Sequence, residues 1–144
     1  MTNNEVKTIL LRVRKISKLI KLKTMLKDTL ESCLLPKAIT YDGDKVMTSP
    51  DDKLSEIAGR VIDLDKSIRE LQIRKALIAS ETEEIISRLD DLNERIVLMG
   101  YYVSGYPIKR ICQEINYSDK HTYRLRNRGI AHLRDLMKDE KNEK

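Results

Sequence analysis

A heptad repeat of apolar residues between positions 54 and 92 constrains the fold more than any other feature of the chain. One register comprises Leu54, Val61, Ile68, Lys75, Thr82 and Leu89, and the second comprises Ile57, Leu64, Leu71, Ile78, Ile85 and Leu92. This pattern places one apolar stripe along an α-helix, with polar interruptions at Lys75 and Thr82. Neither proline nor glycine occurs between Gly59 and Gly100, so we predict one long helix that ends near residue 90. Such a helix cannot bury its stripe alone, and it must pack against another helix or a second copy.

A second helix is predicted over residues 3–35, where apolar side chains recur at intervals of three and four. Pro36 ends it, because proline cannot continue the hydrogen-bond ladder of a helix. Joined by a loop at 36–50, the two helices form a long antiparallel, coiled-coil-like hairpin over residues 1–90. The composition predicts an all-α chain, since 35% of the residues are charged, glycine and proline number five and three, and Phe and Trp are absent.

The loop carries a β-hairpin signal, because Asp42-Gly43-Asp44 lies between two short β-prone runs. We interpret these aspartates as turn residues and not as a calcium site, since the other ligands of a calcium loop are missing. Ser49 and Pro50 then mark the start of the long helix, because serine caps a helix and proline suits its first position.

The last third of the chain has the sequence layout of a helix-turn-helix domain over residues 92–138, and residues 139–144 are predicted to be a frayed tail. Pro107 opens its second helix, Asn116-Tyr117 form the turn, and Ser118 caps a third helix that reaches about Lys138. The first helix is predicted over 92–103, with an inward face of Ile96, Val97 and either Met99 or Tyr101. The inward faces of the other two comprise Ile108, Ile111, Cys112 and Ile115, and Thr122, Leu125, Gly129, Ile130, Leu133 and Leu136 or Met137.

The outward side of the third helix carries the candidate DNA-binding residues. Base edges are recognised by side chains that donate or accept hydrogen bonds, and phosphates are recognised by cations. We therefore assign base reading to Lys120, Arg124 and Asn127, with Asp119 able to accept from cytosine. Contacts with the DNA backbone are assigned to Lys109, Arg110, His121 and Arg128. The simpler alternative is a solvated basic face on an ordinary bundle helix.

Several stretches of this region match a known pattern, namely residues 95–112, Tyr117-Ser118, Tyr123-Arg124-Leu125, Gly129-Ile130 and Leu133-Arg134. With these residues the region resembles the DNA-reading region of bacterial sigma factors. Over residues 18–137 the chain is similar to small phage-encoded transcription regulators of the ArpU and RinA type. This resemblance implies sequence-specific binding of double-stranded DNA and control of late genes of a phage or prophage. It also implies that the base-facing positions are Asp119, Lys120, Tyr123 and Arg124, which adds Tyr123 to the residues assigned to base reading. The chain departs from the pattern at Thr122 and Gly129, where such domains carry a larger apolar residue and alanine.

Charge is distributed unevenly along the chain, whose formal net charge is +5. Residues 1–27 carry +7, residues 28–50 carry −2, residues 51–91 carry −4 and residues 92–144 carry +4. Basic patches on a small protein indicate nucleic acid first, and then acidic protein surfaces or anionic membranes. The basic first helix and the acidic long helix also suit each other as partners in the hairpin.

Other classes of function find little support in the residues. No glycine-rich phosphate loop occurs, and His121 and His132 lack metal-ligand or nucleophile partners, so we expect no enzyme, no cofactor and no metal site. Cys33 and Cys112 have no CxxC spacing and are interpreted as two buried free thiols in a reducing cytoplasm. Charges interrupt every apolar stretch before the ~20 residues that span a bilayer, and the first residues do not resemble a signal peptide. We therefore expect a cytoplasmic protein without membrane contact. The resemblance to phage-encoded regulators implies that the cell is a bacterial host.

Two hypotheses about partners follow from these patterns. A single helix-turn-helix contacts one half-site and binds weakly as a monomer, so we expect a homodimer through the helical hairpins. Without a second copy, the hairpin is expected to expose Ile62, Ile73, Ile86 and Val13. The alternative is a coiled-coil adaptor that binds RNA polymerase or another protein without reading DNA itself, because a basic surface also suits acidic proteins.

Overall fold

A computed structural model describes residues 1–35 and 50–143, and this part of the chain is all-α, as the composition predicts. Its elements are α1 (Asn3–Leu10), α2 (Arg12–Leu34), α3 (Pro50–Ile86), α4 (Leu92–Leu98), a π-helical segment (Met99–Val103), α5 (Ile108–Ile115) and α6 (Asp119–Asn142). Residues 1–35 and 50–143 contain no β-strand. The predicted β-hairpin of the loop and the capping role of Ser49 lie outside the described residues. None of the described helices combines the length and the apolar character needed to cross a bilayer.

The first predicted helix is divided in two at Leu11. Thr2 caps α1, because its hydroxyl accepts from the backbone N–H of Glu5 at 3.3 Å while the Glu5 carboxylate accepts from the N–H of Thr2 at 2.8 Å. Helical hydrogen bonds continue across Leu11, whose N–H donates to the Lys7 carbonyl at 2.9 Å and whose carbonyl accepts from Lys15 at 3.0 Å. The predicted single helix is therefore two helices, α1 and α2, which are separated by one residue.

The long helix α3 spans 37 residues and ends at Ile86, short of the predicted end near residue 90. The N–H groups of Arg88 and Leu89 donate to the carbonyls of Ile85 and Ile86 at 3.3 and 3.1 Å, which tightens the last turn. Leu89 is still buried, whereas Leu92, the last residue of the predicted heptad stripe, is 68% exposed. The stripe ends where the chain leaves the helix, so Leu92 does not belong to it.

Residues 92–103 are helical as predicted, but their second half is the π-helical segment and their inward face differs from the prediction. Asp91 caps α4 by accepting from the N–H groups of Asn93 and Glu94 at 2.8 and 3.1 Å. Ile96, which we predicted to face inward, is 46% exposed. The buried residues are Glu94, Val97, Leu98 and Tyr102. These four residues have helical spacing. The sequence pattern did not indicate this face because one of its members, Glu94, is charged, and the pattern is recognised by apolar residues.

The last helix, α6, is longer than predicted, although its inward face is confirmed. The predicted inward residues that are buried are Thr122, Leu125, Gly129, Ile130 and Leu133. The helix continues past Lys138 to Asn142, so the segment that we expected to be frayed from residue 139 is helical through 142. Glu140 forms an ion pair with Arg88 at 2.7 Å, which attaches these last turns to the chain that follows α3.

One compact unit joins Met1–Ser17 to the chain from Lys75 onward. Its main core comprises Val6, Leu10, Ile86, Leu89, Leu98, Tyr102, Ile130 and Leu133. The helix α1 therefore packs with the C-terminal helices, a different division from the predicted domains 1–90 and 92–138. Val13 and Ile86, which we expected to be exposed in a single copy, are buried in this unit. The helix α1 contributes Val6 and Leu10, which are fully buried. Because burying a side chain of this size contributes about 1.5–3 kcal/mol, α1 is a substantial part of the stability of the unit.

The other compact unit comprises the intervening residues of α2 and α3. The Nζ of Lys27 lies 2.9 Å from the Asp65 carboxylate, and the Nζ of Lys23 donates to the Ser67 hydroxyl at 2.7 Å. As the residue number increases along α2, the residue number of its contact partner decreases along α3. The two helices are therefore antiparallel where they touch. Large apolar side chains of this unit remain exposed, among them Leu19, Leu22, Met25, Leu26, Leu54, Ile62 and Ile73.

Candidate nucleic-acid interface

Hydrogen bonds between residues that are close in sequence fix the start of α6 at its junction with α5. Asn116 ends α5 in the left-handed conformation with φ 58°, which asparagine adopts more readily than most residues. The N–H of Tyr117 donates to the Cys112 carbonyl at 3.3 Å. The Ser118 hydroxyl accepts from the N–H of His121 at 3.2 Å and caps α6 as predicted. These contacts determine the angle at which α6 leaves α5.

Buried side chains pack the first turns of α6 against α4 and α5. A small core cluster there comprises Val97, Ile111 and Leu125. Thr122 is fully buried, and its hydroxyl donates to the Ser118 carbonyl at 2.9 Å and accepts from the Cys112 thiol at 3.1 Å. Burial raises the pKa of the Cys112 thiol, which favours its protonated form. Cys112 is therefore a buried packing residue, as predicted, whereas Cys33, which we also predicted to be buried, is exposed.

The five residues to which we assigned base reading share one exposed face of α6. They are Asp119, Lys120, Tyr123, Arg124 and Asn127. Spacings of one, three and four residues keep them on one side of the helix over about two turns. Among the described residues, neither Lys120 nor Arg124 has a carboxylate partner, so both cations face solvent. We call these five residues the α6 face.

Three of the four residues assigned to backbone contacts lie on α5 and on the first turn of α6. Lys109 is exposed on α5. Arg110, also on α5, lies over the Tyr106 ring, with its guanidinium carbon 3.9 Å from the ring centroid. His121, on the first turn of α6, stacks edge-on against Tyr117 with ring centroids 4.5 Å apart. His121 lies next to the turn between α5 and α6, whereas Lys109 and Arg110 lie at the other end of α5, near its start.

Arg128 is placed differently, because carboxylates of α4 and its cap surround it. Its Nε lies 3.6 Å from a carboxylate oxygen of Glu94, and its Nη2 lies 4.0 Å from one of Asp91. Glu94 is 1% exposed, and its other oxygen lies 2.9 Å from Nδ1 of His132. A phosphate that approached Arg128 would meet two carboxylates, so this residue suits a backbone contact less well than the sequence indicates.

On the other flank of the α6 face lies a group of cations and rings that sequence analysis missed. Because residues two apart in a helix are separated by about 200° around its axis, Arg126 points nearly opposite to Arg128. Its guanidinium carbon lies 5.0 Å from the Tyr123 ring centroid and 5.1 Å from the Tyr101 ring centroid. Arg14, from the start of α2, lies 4.1 Å from the same Tyr101 centroid. We call Arg14, Tyr101, Tyr123 and Arg126 the arginine–tyrosine cluster.

One pair of this cluster, Tyr123 and Arg126, could be predicted from the sequence, whereas the other, Arg14 and Tyr101, could not. Tyr123 and Arg126 are three residues apart in one helix, a spacing that brings side chains together. The guanidinium of Arg14 donates to the Tyr101 carbonyl at 2.7 Å across a sequence separation of 87 residues, for which no local pattern exists. Neighbouring Tyr102 is buried, and burial raises the pKa of its hydroxyl although both arginines oppose that shift.

Comparison of the chain with protein-family models, with curated proteins and with solved structures finds no match. In the part of the chain that the structure describes, no three His, Cys, Asp or Glu side chains are grouped so that they could hold a metal ion.

Proposed function

We propose that the chain is a sequence-specific, double-stranded DNA-binding transcription regulator that reads DNA with α6. The α6 face is the single observation that carries this proposal. It presents Lys120, Tyr123, Arg124 and Asn127 to solvent from a helix whose start is capped by Ser118 and anchored below. In this reading α5, the turn and α6 act as a helix-turn-helix, with α6 as the recognition helix in the major groove.

The side chains of the α6 face match the chemistry of base edges. Arginine donates two hydrogen bonds to O6 and N7 of guanine, and asparagine pairs with N6 and N7 of adenine. Arg124 and Asn127 supply these groups one turn apart, and Asp119 can accept from N4 of cytosine. Lys120 and the α5 cation Lys109 add attraction to phosphates. Arg110, also assigned to backbone contacts, contributes less because it pairs with Glu114 at 3.5 Å.

The biological setting of the proposal comes from the sigma-like sequence pattern. Stretches such as 95–112 and Tyr123-Arg124-Leu125 resemble regulators of the ArpU and RinA type, which favours control of phage or prophage late genes in the cytoplasm of a bacterial host. The turn at Asn116 and the cap at Ser118 support a sigma-like helix-turn-helix, because both lie where that pattern requires them.

We also propose a homodimer through α2 and α3, with a second copy of this chain as the occupant of their exposed apolar surface. Leu22 is 62% exposed on α2, and Ile62 and Ile73 are 68% and 65% exposed on α3. The segment 1–27 carries a net +7 and the segment 51–91 a net −4, so α2 of one copy complements α3 of another. Light scattering at micromolar concentration tests this: a mass near 16.8 kDa, that of one chain, would refute the dimer and leave the surface to another protein.

The second candidate function is a coiled-coil adaptor that binds RNA polymerase or another protein without reading DNA. The same exposed apolar residues of α2 and α3 favour it, because such surfaces mark protein contacts. The two candidates differ in their response to random duplex DNA. Binding that weakens steeply with salt indicates a DNA-binding protein, whereas binding to polymerase without any DNA shift indicates the adaptor.

Selection of bound fragments from the protein's own genome, followed by variants of the α6 face, tests the proposal. We expect Arg124→Ala to weaken binding to the selected site by about 1–3 kcal/mol and to relax base preference at one position. Lys138→Ala removes the same charge from the same helix beyond the α6 face, so it serves as the matched control and should preserve preference. Equal losses on selected and random duplexes would reduce Arg124 to a phosphate contact, and recovery of no fragments would refute DNA reading.

A further inference from the structure

The arginine–tyrosine cluster brings two cations from distant parts of the chain to one flank of the α6 face. Arg14 comes from α2 and Arg126 from α6, and both guanidinium carbons lie within about 5 Å of the Tyr101 ring centroid. Tyr123, which is 44% exposed and belongs to the α6 face, connects the cluster to that face through its contact with Arg126. The cluster therefore continues the proposed DNA-binding surface sideways, towards the N-terminal helices.

The positive charge of this cluster has no acidic counterpart among the described residues. Other arginines of the same unit do have one, as in the pairs Arg12–Glu81, Arg88–Glu140, Arg110–Glu114 and Arg128–Glu94. For Arg14 the described structure contains one hydrogen bond, to the Tyr101 carbonyl. The Nε of Arg126 is buried without any hydrogen-bond partner. No carboxylate of the described residues lies within ion-pair distance of either guanidinium group, and two such uncompensated cations are suited to an anion.

We propose that Arg14 and Arg126 each contact the phosphodiester backbone of the DNA, beside the bases that the α6 face reads. This inference rests on the proposed DNA-reading function and gives the basic N-terminal segment a role in it. The Tyr101 ring keeps both guanidinium planes in place, so that the unused N–H groups are oriented before a phosphate arrives. Arginine suits this task, because its planar fork matches two phosphate oxygens while its face stays stacked on an aromatic ring.

The position of the cluster agrees with a phosphate contact and not with a base contact. Arg126 lies at the edge of the α6 face, between exposed Tyr123 and buried Thr122, and Arg14 lies on a different helix. When a recognition helix occupies the major groove, residues at its edges and on neighbouring helices meet the sugar–phosphate backbone. The opposite edge, at Arg128, is neutralised by Glu94, so we expect this extra backbone contact on one edge only.

The test measures how duplex affinity depends on salt for single-charge variants of the full chain. Fluorescence anisotropy with a labelled random duplex and with the selected site gives the slope of log affinity against log salt. We expect Arg14→Gln and Arg126→Gln each to reduce this slope by about 1 on both duplexes, with no change in base preference. Arg14→Lys and Arg126→Lys keep the charge and should retain most of the slope.

Arg12→Gln is the matched control, since Arg12 lies in the same helix two residues before Arg14 but pairs with Glu81. Thermal unfolding of each variant shows whether it is folded at the assay temperature, and the lysine variants separate loss of charge from loss of packing. An unchanged slope in both glutamine variants, or an equal loss in Arg12→Gln or in the lysine variants, refutes this inference alone. Absence of duplex binding by the unmodified protein refutes the proposed function and this inference with it.

Discussion

Gly129 lies where α6 approaches α4 most closely, and its replacement by alanine tests how tight that contact is. A Cβ at this position would lie 2.9 Å from Cδ1 and 3.3 Å from Cγ of Leu98, and 3.5 Å from Cβ of Glu94. Leu98 is fully buried in the main core of its unit, so its side chain cannot move aside into solvent. The added methyl group must therefore displace atoms that are already packed.

Two opposing contributions decide the sign of the effect of Gly129→Ala. Alanine is favoured over glycine within a helix by about 0.8–1 kcal/mol. Forcing an extra methyl group into a packed core costs about 1–3 kcal/mol. We therefore expect Gly129→Ala to lower the free energy of unfolding by about 1 kcal/mol. Gly59→Ala is the matched control, because a Cβ at Gly59 meets nothing within 4 Å and only the favourable contribution remains.

Urea and thermal unfolding, followed by the helical circular dichroism signal, measure both variants. A change of 1 kcal/mol shifts the Tm of a chain near this size by about 2–4 °C. We expect a lower Tm for Gly129→Ala and a higher Tm for Gly59→Ala. If Gly129→Ala raised stability as much as Gly59→Ala does, the close approach of α4 and α6 would be refuted.

Two further predictions concern charged groups. Glu94→Gln removes the carboxylate beside Arg128, so random duplex should bind more tightly, with a salt slope steeper by about 1 in anisotropy titrations; an unchanged slope would show that Arg128 does not reach a phosphate. The ion pair with Lys27 lowers the pKa of Asp65 from its ordinary 3.8 and raises that of Lys27 from 10.5. The stability from this pair is therefore present between those ordinary values, and it is lost as pH falls through the lowered pKa of Asp65 or rises through the raised pKa of Lys27. In thermal unfolding across pH, Asp65→Asn should remove the acid part of this dependence, and an identical acid profile in the variant would contradict the assignment.

Local chemistry was sufficient to predict the elements whose signals lie within a few residues. Ser118 as the cap of α6, the long helix that begins at Pro50 and the buried side of α6 all follow from capping preferences and the 3.6-residue period. The end of α3 was harder, because the heptad continues in the sequence to Leu92 while the chain turns at Ile86. Helix ends depend on which packing partner is available, and that partner is distant in sequence.

The features that sequence analysis missed depend on contacts between distant segments. Glu94 has a charged side chain at an inward position, where its burial is compensated by Arg128 and His132 on another helix. The packing of α1 on α6 and the contact of Arg14 with Tyr101 likewise join the first residues to the last third. Periodicity along the sequence reports only on residues that are close in sequence and not on contacts between distant segments. The N-terminal part of the proposed DNA-binding unit could therefore not be predicted.

Carboxylates compensate the positive charge at one edge of the α6 face and not at the other, so the two edges of the proposed interface differ in charge. At one edge of the α6 face, Arg128 is held by Glu94 and Asp91, and at the other edge Arg14 and Arg126 have no acidic partner among the described residues. Because attraction to phosphates is long-ranged and independent of base sequence, the uncompensated edge should meet the DNA backbone first. The duplex would then be aligned along α6 before any base is read. Since α1 packs in the same core as α6 and leads directly into Arg14, a reading fragment that lacked the first 17 residues would lose both this edge and part of its core.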